Sequence, residues 1–565
     1  MEMDAEAGRW WTWNAAAVVA AGACLLLLMH VAARVADALW WRPRRLEAHF
    51  ARQGVRGPPY RFLLGCVTEM VALMAEAAKK PMSPPDSHDA LPRVLAFYHY
   101  WRKIYGPMFL IWFGPTPRLT VADPELVREV LLTHADAFDR YEAHPVVRKL
   151  EGHGLISLHD DKWALHRRVL TPAFYPDNLN RLAPHVGRSV AALAERWRAM
   201  ASAAPGGEVE LDVAEWYQAV AEEAIARATF GRSYDSGRVV FRMQARLMAF
   251  ASEAFRKVFV PGYRFLPTKK NRLQWSLDRE IRRGLVTLIG NRSLEAAHDD
   301  DAAELNDKGS NGFRDLLGFM INANDKKKKA APAIPVEDML EECKTFFFAG
   351  KQTTTNLLTW ATVLLAMHPD WQERARQEVL AVCGADELPS KEHLPKLKTL
   401  GMILNETLRL YPPAVATIRR AMRDVTLGGV SIPRDTELLI PIMAMHHDAA
   451  LWGLDATQFN PARFARGGAA KAAAHPLAFI PFGLGPRMCI GQNLALLEAK
   501  LTLAVVLQRF QLARSPSYVH APTVLMLLYP QYGAPVIFRP VPVSSQLSAS
   551  SDDGASTETV GPRPS

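Results

Sequence analysis

Cysteine is scarce in this chain. Five residues in 565 (Cys24, Cys66, Cys343, Cys383, Cys489) are odd in number and scattered. They build neither a disulfide framework nor a C-x-x-C zinc pair, so the bulk of the chain suits a reducing compartment. No flavin or nicotinamide fingerprint appears. The basic residues are spread out rather than gathered into an aromatic-interleaved stripe, which excludes nucleic-acid binding. Internal repeats are absent. Beyond one N-terminal run, no apolar segment is long enough to span a bilayer. What remains is a globular composition, 49% hydrophobic and 22% charged, with a net charge of +9. That charge fits ordinary solubility, and equally attraction to an anionic membrane face or an acidic partner.

The one apolar run is Ala15 to Ala33, interrupted only by His30. Its length is about that needed for a spanning helix. Trp10, Trp11 and Trp13 precede it and Trp40 and Trp41 follow, as suits two interfaces. Glu2, Asp4 and Glu6 outweigh Arg9 on the first flank, whereas Arg34, Arg42, Arg44 and Arg45 outweigh Asp37 on the second. The positive flank is expected to be cytosolic. A cleaved signal would want a basic start and a shorter apolar core. The expected layout is a lumenal terminus over residues 1–14, an anchor over 15–33, a basic and proline-rich hinge over 34–59 containing Gly57-Pro58-Pro59, one large domain over 60–540, and a Ser-rich disordered tail over 541–565. The sequons at Asn291 and Asn405 would stay unmodified in a cytosolic domain. Lys326 to Lys329 read as a solvated loop.

Helical patterns dominate the large domain, for example Arg188–Met200, Ala214–Thr229, Val239–Lys257 and Phe313–Ile321. A long helix is expected to begin near Val336. Short strands are expected at Pro107–Trp112, Arg118–Val121, Thr426–Ile432, Glu437–Pro441 and Ala534–Phe538. The fold class is mainly α with small β-sheets.

Among the five cysteines, Cys489 stands apart. It lies in Phe482-Gly483-Leu484-Gly485-Pro486-Arg487-Met488-Cys489-Ile490-Gly491, with a helical stretch following over Asn493–Gln508. Glycines on both sides let backbone approach a flat ligand and let N–H groups point at sulfur. The following helix N-terminus favours the thiolate. Arg487 suits a carboxylate such as a haem propionate. A thiolate on haem iron favours O–O cleavage. A structural Cys in a turn needs none of these five spaced positions. Phe482 through Gly491 resembles the haem loop of the cytochrome P-450 superfamily of haem-thiolate monooxygenases.

That resemblance implies a haem held between a long central helix and the Cys489 loop, with Cys489 as the iron ligand. The central helix contains Phe346-Phe347-Phe348-Ala349-Gly350-Lys351-Gln352-Thr353-Thr354. A helical glycine costs about 1 kcal/mol against Ala. Gly350 therefore suggests close approach to something flat or a local opening, beside which Thr353 can hold a water or dioxygen. The stretch resembles the family's oxygen-activation motif, with Thr353 as the oxygen-side threonine. The usual acid is replaced by Gln352, which holds water but lends no proton as a carboxyl does. Glu406 and Arg409 form an E-x-x-R pair on one helix face. Phe459 to Phe464 resembles the P-E-R-F segment, with Ala462 in place of Glu. Arg463 would complete a Glu406–Arg409–Arg463 network behind the loop, a fold and haem-retention lock. Loss of one partner there would cost roughly 3–5 kcal/mol. Trp163 and Arg167 (W-x-x-x-R) resemble the family's propionate-gripping helix, and Arg419 matches a further propionate position.

The resemblance covers the chain from the anchor to about residue 540. It implies haem b as cofactor, dioxygen as oxidant, and electrons from NADPH through a separate membrane-bound cytochrome P-450 reductase. The expected location is the endoplasmic reticulum membrane, single-pass, with the catalytic domain cytosolic. Candidate pocket walls at 140–158, 255–266, 414–417 and 522–527 are mostly apolar, so a lipophilic substrate is expected. Four further stretches, among them the one starting at Phe346 and the one starting at Pro481, are similar to plant hormone-metabolising members. The nearest likeness is to the brassinosteroid-inactivating side-chain hydroxylases, which act on castasterone and brassinolide and in which Gln at position 352 is usual. The alternatives are hydroxylation of a gibberellin, cytokinin or fatty acid, or a non-catalytic haem- or sterol-binding membrane protein.

Overall fold

A computed structural model describes residues 20–142, 148, 151–255, 266–303, 314–324, 334–465 and 468–541. Trp10, Trp11, Trp13, the start of the expected anchor, Lys326–Lys329, most of the 255–266 wall and the tail lie outside these residues. The chain divides into two compact units. The first comprises Met1–Lys80, Leu91–Tyr141 and Ala416–Met445; the second comprises Pro81–Ala90, Glu142–Val415 and His446–Ser565.

In the first unit a single helix runs Ala20–Arg52, long and apolar enough to cross a membrane. Leu25 to Leu28 on it are all exposed. The helix continues well into the segment read as a hinge, because Arg42–Arg52 is amphipathic and buries Phe50. A five-stranded sheet runs in the order Leu110–Phe113, Thr116–Thr120, Glu437–Ile440, Thr417–Ala421, Phe138–Arg140. The first two strands turn at Gly114-Pro115, where Gly114 has φ +60°. The parallel pairing of Thr116–Thr120 with Glu437–Ile440 aligns Arg118 with Glu437, and the guanidinium donates to that carboxylate at 2.6 Å. The expected strand Thr426–Ile432 is instead a hairpin, Val425–Leu427 against Val430–Ile432. Its turn is Gly428-Gly429, with φ +54° and +80°. Two left-handed residues in a row make a two-residue hairpin loop, which a continuous strand cannot contain. The strands Thr417–Ala421 and Phe138–Arg140 carried no clear alternation in the sequence.

The second unit is mainly helical. Its long helices are Pro176–Ala203, Val213–Phe230, Tyr234–Phe255, Lys269–Ala303, Val336–Met367, Pro369–Cys383, Lys398–Leu410 and Gln492–Arg509. Val336–Met367 begins where expected and is buried on every face from Thr354 to Ala366. It stops before Pro369, since the residue preceding a proline is pushed out of the α region. The helix Gln492–Arg509 packs against it and buries Leu501 to Gln508. A three-stranded antiparallel sheet, Val209–Asp212, Pro535–Pro540 and Phe510–Arg514, closes one side. Trp197 seals it, with its ring 4.9 Å from Phe538 and 6.2 Å from Phe510.

Candidate active site

The Cys489 loop is built by its own backbone. Cys489 N donates to Phe482 O at 2.9 Å, which closes the loop on itself. Gly483 and Gly485 both hold φ +75°, a conformation that side chains with a Cβ rarely adopt. Gly491 caps the helix Gln492–Arg509, and a Cβ there would stand 4.0 Å from the Cys489 sulfur and 3.9 Å from the Phe174 ring. Cys489 is open to solvent yet surrounded by protein mass, which raises its thiol. Three groups oppose that rise: the Gly491 N–H, Arg167 and the Gln492 N–H. The arrangement offers sulfur two amide donors at a helix start and a nearby cation, the set that a thiolate needs.

Arg167 faces the same sulfur. Burial draws its guanidinium below the ordinary value and the Cys489 charge pushes it back up. Arg487 lies flat over the Trp163 ring at 4.3 Å and donates to Leu158 O at 2.7 Å. Trp163, Arg167, Arg487, Phe482 and Cys489 thus come together in the second unit. Arg419 belongs to the first unit, on Thr417–Ala421, where it donates to Thr417 Oγ1 at 2.9 Å and Ile418 O at 3.1 Å.

The central helix differs from expectation at Gly350. It does not open there; the α-helix is continuous from Val336 to Met367. The close neighbour is a side chain from Val213–Phe230: a Cβ on Gly350 would stand 2.7 Å from both Ile225 Cδ1 and Cγ1. The glycine is explained by helix-to-helix packing. One residue on, Lys351 pairs with Glu222 of the same neighbouring helix at 2.8 Å, a buried bridge the sequence did not suggest. Thr353 Oγ1 donates to Ala349 O at 2.6 Å, and Gln352 Nε2 donates to Asn356 Oδ1 at 3.3 Å. Phe346 stacks on Phe174 at 5.6 Å, so one ring bridges the central helix and the Gly491 cap.

Glu406, Arg409 and Arg463 form one buried network. Arg409 donates from Nε and Nη2 to the two oxygens of Glu406, both at 2.7 Å. Its remaining N–H groups reach His446 O, Ala456 O and Gln458 O. Glu406 Oε1 also accepts from Asn460 N at 2.9 Å and from Arg463 Nε at 3.4 Å. Two members were missed in the sequence. Asp455 takes Arg463 Nη2 at 2.6 Å. His446 Nε2 accepts from Ile480 N at 3.1 Å, which ties the network to the start of the Cys489 loop. Burial, then His447 and Arg409, hold His446 neutral by lowering its pKa to about 3. Only the eight-residue spacing of Asp455 from Arg463 hinted at the acid, and nothing marked the histidine.

A second buried clamp also escaped the sequence reading. His166, between Trp163 and Arg167, meets Glu342 Oε1 of the central helix at 2.6 Å. The other oxygen of Glu342 accepts from Leu155 N at 2.9 Å, and Thr345 Oγ1 accepts from Gly154 N at 3.1 Å. Residues 151–155 are thereby pinned to the central helix.

A thiol with converging amide donors, flanked by a cation and backed by a buried ion network, has the donors that a haem thiolate needs. The Cytochrome P450 family model matches residues 92–533, and the chain belongs to that family. Relatives with high identity occur in plants. The chain is 79% identical over 534 residues to "Cytochrome P450 734A4" of Oryza sativa subsp. japonica, covering 92% of this chain and 98% of the relative. It is 57% identical over 501 residues to "Cytochrome P450 734A1" of Arabidopsis thaliana, covering 89% and 93%. It is 42% identical over 526 residues to "Cytochrome P450 CYP72A616" of Paris polyphylla, covering 92% and 98%. The protein is accordingly a monooxygenase that uses haem and electrons supplied by a reductase. The residues around Cys489 fit that group.

Proposed function

We propose that this protein is a membrane-anchored monooxygenase that hydroxylates the side-chain terminus of brassinosteroids such as castasterone and brassinolide, and so inactivates them. The observation that carries this reading is the contrast in likeness. Identity stays at 57–79% with the two 734A relatives named above and falls to 42% with the 72A relative. The residues named at the site support a division of labour. Cys489 would hold the haem iron through its thiolate, with the Gly491 and Gln492 N–H groups bonding the sulfur. Arg167 and Arg487, with Trp163 beneath the latter, would hold propionates; Arg419 joins them on resemblance alone. Phe482 would close the loop over the ring. Thr353 would present a hydroxyl, and Gln352 an amide, on the oxygen side. Glu406, Arg409 and Arg463 hold the loop from behind and touch no reacting atom.

When bound, the haem supplies dioxygen activation and insertion of one oxygen atom into an unactivated C–H bond. The chain's own part is to exclude water with apolar walls, orient the steroid, and deliver protons near Thr353. Electrons would come from NADPH–cytochrome P-450 reductase, drawn to the positive chain by its acidic flavin domain. The helix Ala20–Arg52 would anchor the protein in the endoplasmic reticulum, single-pass, with the domain in the cytosol.

Labelled castasterone incubated with the protein, reductase and NADPH should yield a side-chain-hydroxylated product by mass analysis; turnover of other lipophiles but not of this steroid refutes the substrate. Cys489→Ser should abolish the thiolate signature in the reduced carbon-monoxide spectrum. Thr353→Ala should keep that spectrum and divert reducing equivalents to peroxide.

A further inference from the structure

Five titratable side chains of the second unit, away from Cys489, form one unbroken hydrogen-bonded line. His368 Nε2 lies 3.1 Å from His88 Nε2, and His88 Nδ1 lies 2.7 Å from the Tyr411 hydroxyl. That hydroxyl lies 2.9 Å from His520 Nε2, and His520 Nδ1 lies 2.8 Å from the Tyr518 hydroxyl. A neutral imidazole has one donor and one acceptor nitrogen, and a phenol donates one proton. All four bonds are therefore satisfied when every proton points the same way along the line, in either sense. Such chains polarise and strengthen one another. His88, Tyr411, Tyr518 and His520 are buried.

The line meets the central helix at its midpoint. The Tyr411 ring stacks on Trp360 at 4.3 Å with 9° between planes. Trp360 follows Thr353 by seven residues, so it shares that residue's helix face about 10 Å along the axis. The two aromatic rings differ in one respect that matters for redox chemistry. The buried indole N–H of Trp360 has no acceptor, whereas the Tyr411 hydroxyl has an imidazole on each side.

We propose that Trp360 and Tyr411 form a one-electron relay that draws oxidising equivalents away from the haem, with Tyr411 as a redox-active tyrosine. The inference rests on the haem reading above. The oxidant is haem oxidised by peroxide in the absence of a hydroxylatable substrate. One electron leaves Tyr411 through Trp360 and reduces the oxidised haem by one equivalent. The Tyr411 O–H bond breaks, and its proton forms a bond to His520 Nε2. A neutral phenoxyl radical and an imidazolium remain. An electron from an external reductant such as ascorbate, together with the returning proton, restores the phenol. Trp360 has no base to take its proton, so the radical does not rest there. His88 resists a second proton: burial, then His520, His368, His447 and Arg409, lower it to about 2. In the sense of the line in which His88 donates to Tyr411, His520 Nε2 is the acceptor.

The test uses the holoenzyme without substrate. Its reduced carbon-monoxide spectrum is recorded, and the protein is then mixed with hydrogen peroxide and frozen rapidly for electron paramagnetic resonance. The expected result is a tyrosyl signal whose splitting collapses when ring-deuterated tyrosine is incorporated. Tyr411→Phe keeps the ring on Trp360 and should lose that signal while its haem bleaches faster. Trp360→Phe should lower the yield. A protein with the haem-thiolate spectrum but no tyrosyl signal overturns the relay, as does an undiminished signal in Tyr411→Phe. Absence of the haem-thiolate spectrum overturns the haem reading itself.

Discussion

Glu406 and Glu498 are both buried carboxyl groups in the second unit, and the fold surrounds them differently. Glu406 on Lys398–Leu410 has two guanidinium partners and a backbone N–H. Every charge in that cluster has a counter-charge or a carbonyl. Glu498 on Gln492–Arg509 has an oxygen with no partner, and burial alone raises its pKa well above the ordinary carboxylate value. One acid is surrounded by donors. The other has an oxygen that is offered none, and burial favours its neutral form. Both lie on helices that back the Cys489 loop, so being buried there does not by itself specify a charge state.

The largest test of this contrast is Arg409→Ala. It leaves the buried Glu406 without its bidentate partner, and should cost roughly 3–5 kcal/mol in urea unfolding of the holoprotein, with loss of haem. A cost below about 1 kcal/mol would mean that the network adds little to the fold. The neutral histidines beside Arg409 extend the comparison to pH. His446 and His447 have pKa values lowered to about 3 and about 4, both chiefly by burial. A depressed folded value means that the unfolded state binds the proton first, so stability is intact above the unfolded value near 6.5 and is lost as pH falls. Each such histidine should remove roughly 1.4 kcal/mol per pH unit below about 6.5 until its folded value is reached. Urea midpoints measured between pH 7 and 5 check this sign. Arg463→Ala should cost less than Arg409→Ala, about 1–3 kcal/mol, because its bond to Glu406 is longer and Asp455 is partly open to water. Glu498→Gln should have the smallest effect, within about 1 kcal/mol of the parent near neutral pH. A raised carboxyl value makes the parent lose stability as pH climbs above the unfolded value, so any advantage of Glu498→Gln should grow with pH and vanish in acid.

Much of the site was legible in the chain because its chemistry is local. The Cys489 loop closes within ten residues, and its glycines, its arginine and the helix behind it are all sequence neighbours. Glu406 and Arg409 are three apart, and Trp163 and Arg167 four apart, so helical spacing alone places each pair on one face. Gly350 was read as approaching something flat or opening the helix, whereas its close neighbour is the Ile225 side chain, 125 residues earlier. His446, Asp455 and the Glu342–His166 clamp left no pattern either, since a buried polar partner needs only one atom at the right place. The hairpin at Gly428-Gly429 was legible in principle, and the two adjacent glycines were the missed signal.

What the sequence determined by itself was the glycine-bracketed loop around Cys489, the helical character of the chain and the apolar N-terminal helix. Each of these follows from residue type and short-range periodicity. Only the tertiary structure decided which buried acid finds donors, which histidines are held neutral and which aromatic rings meet. Those outcomes depend on donors and packing surfaces brought together across hundreds of residues, and electrostatics in a buried site is set by the neighbours in space.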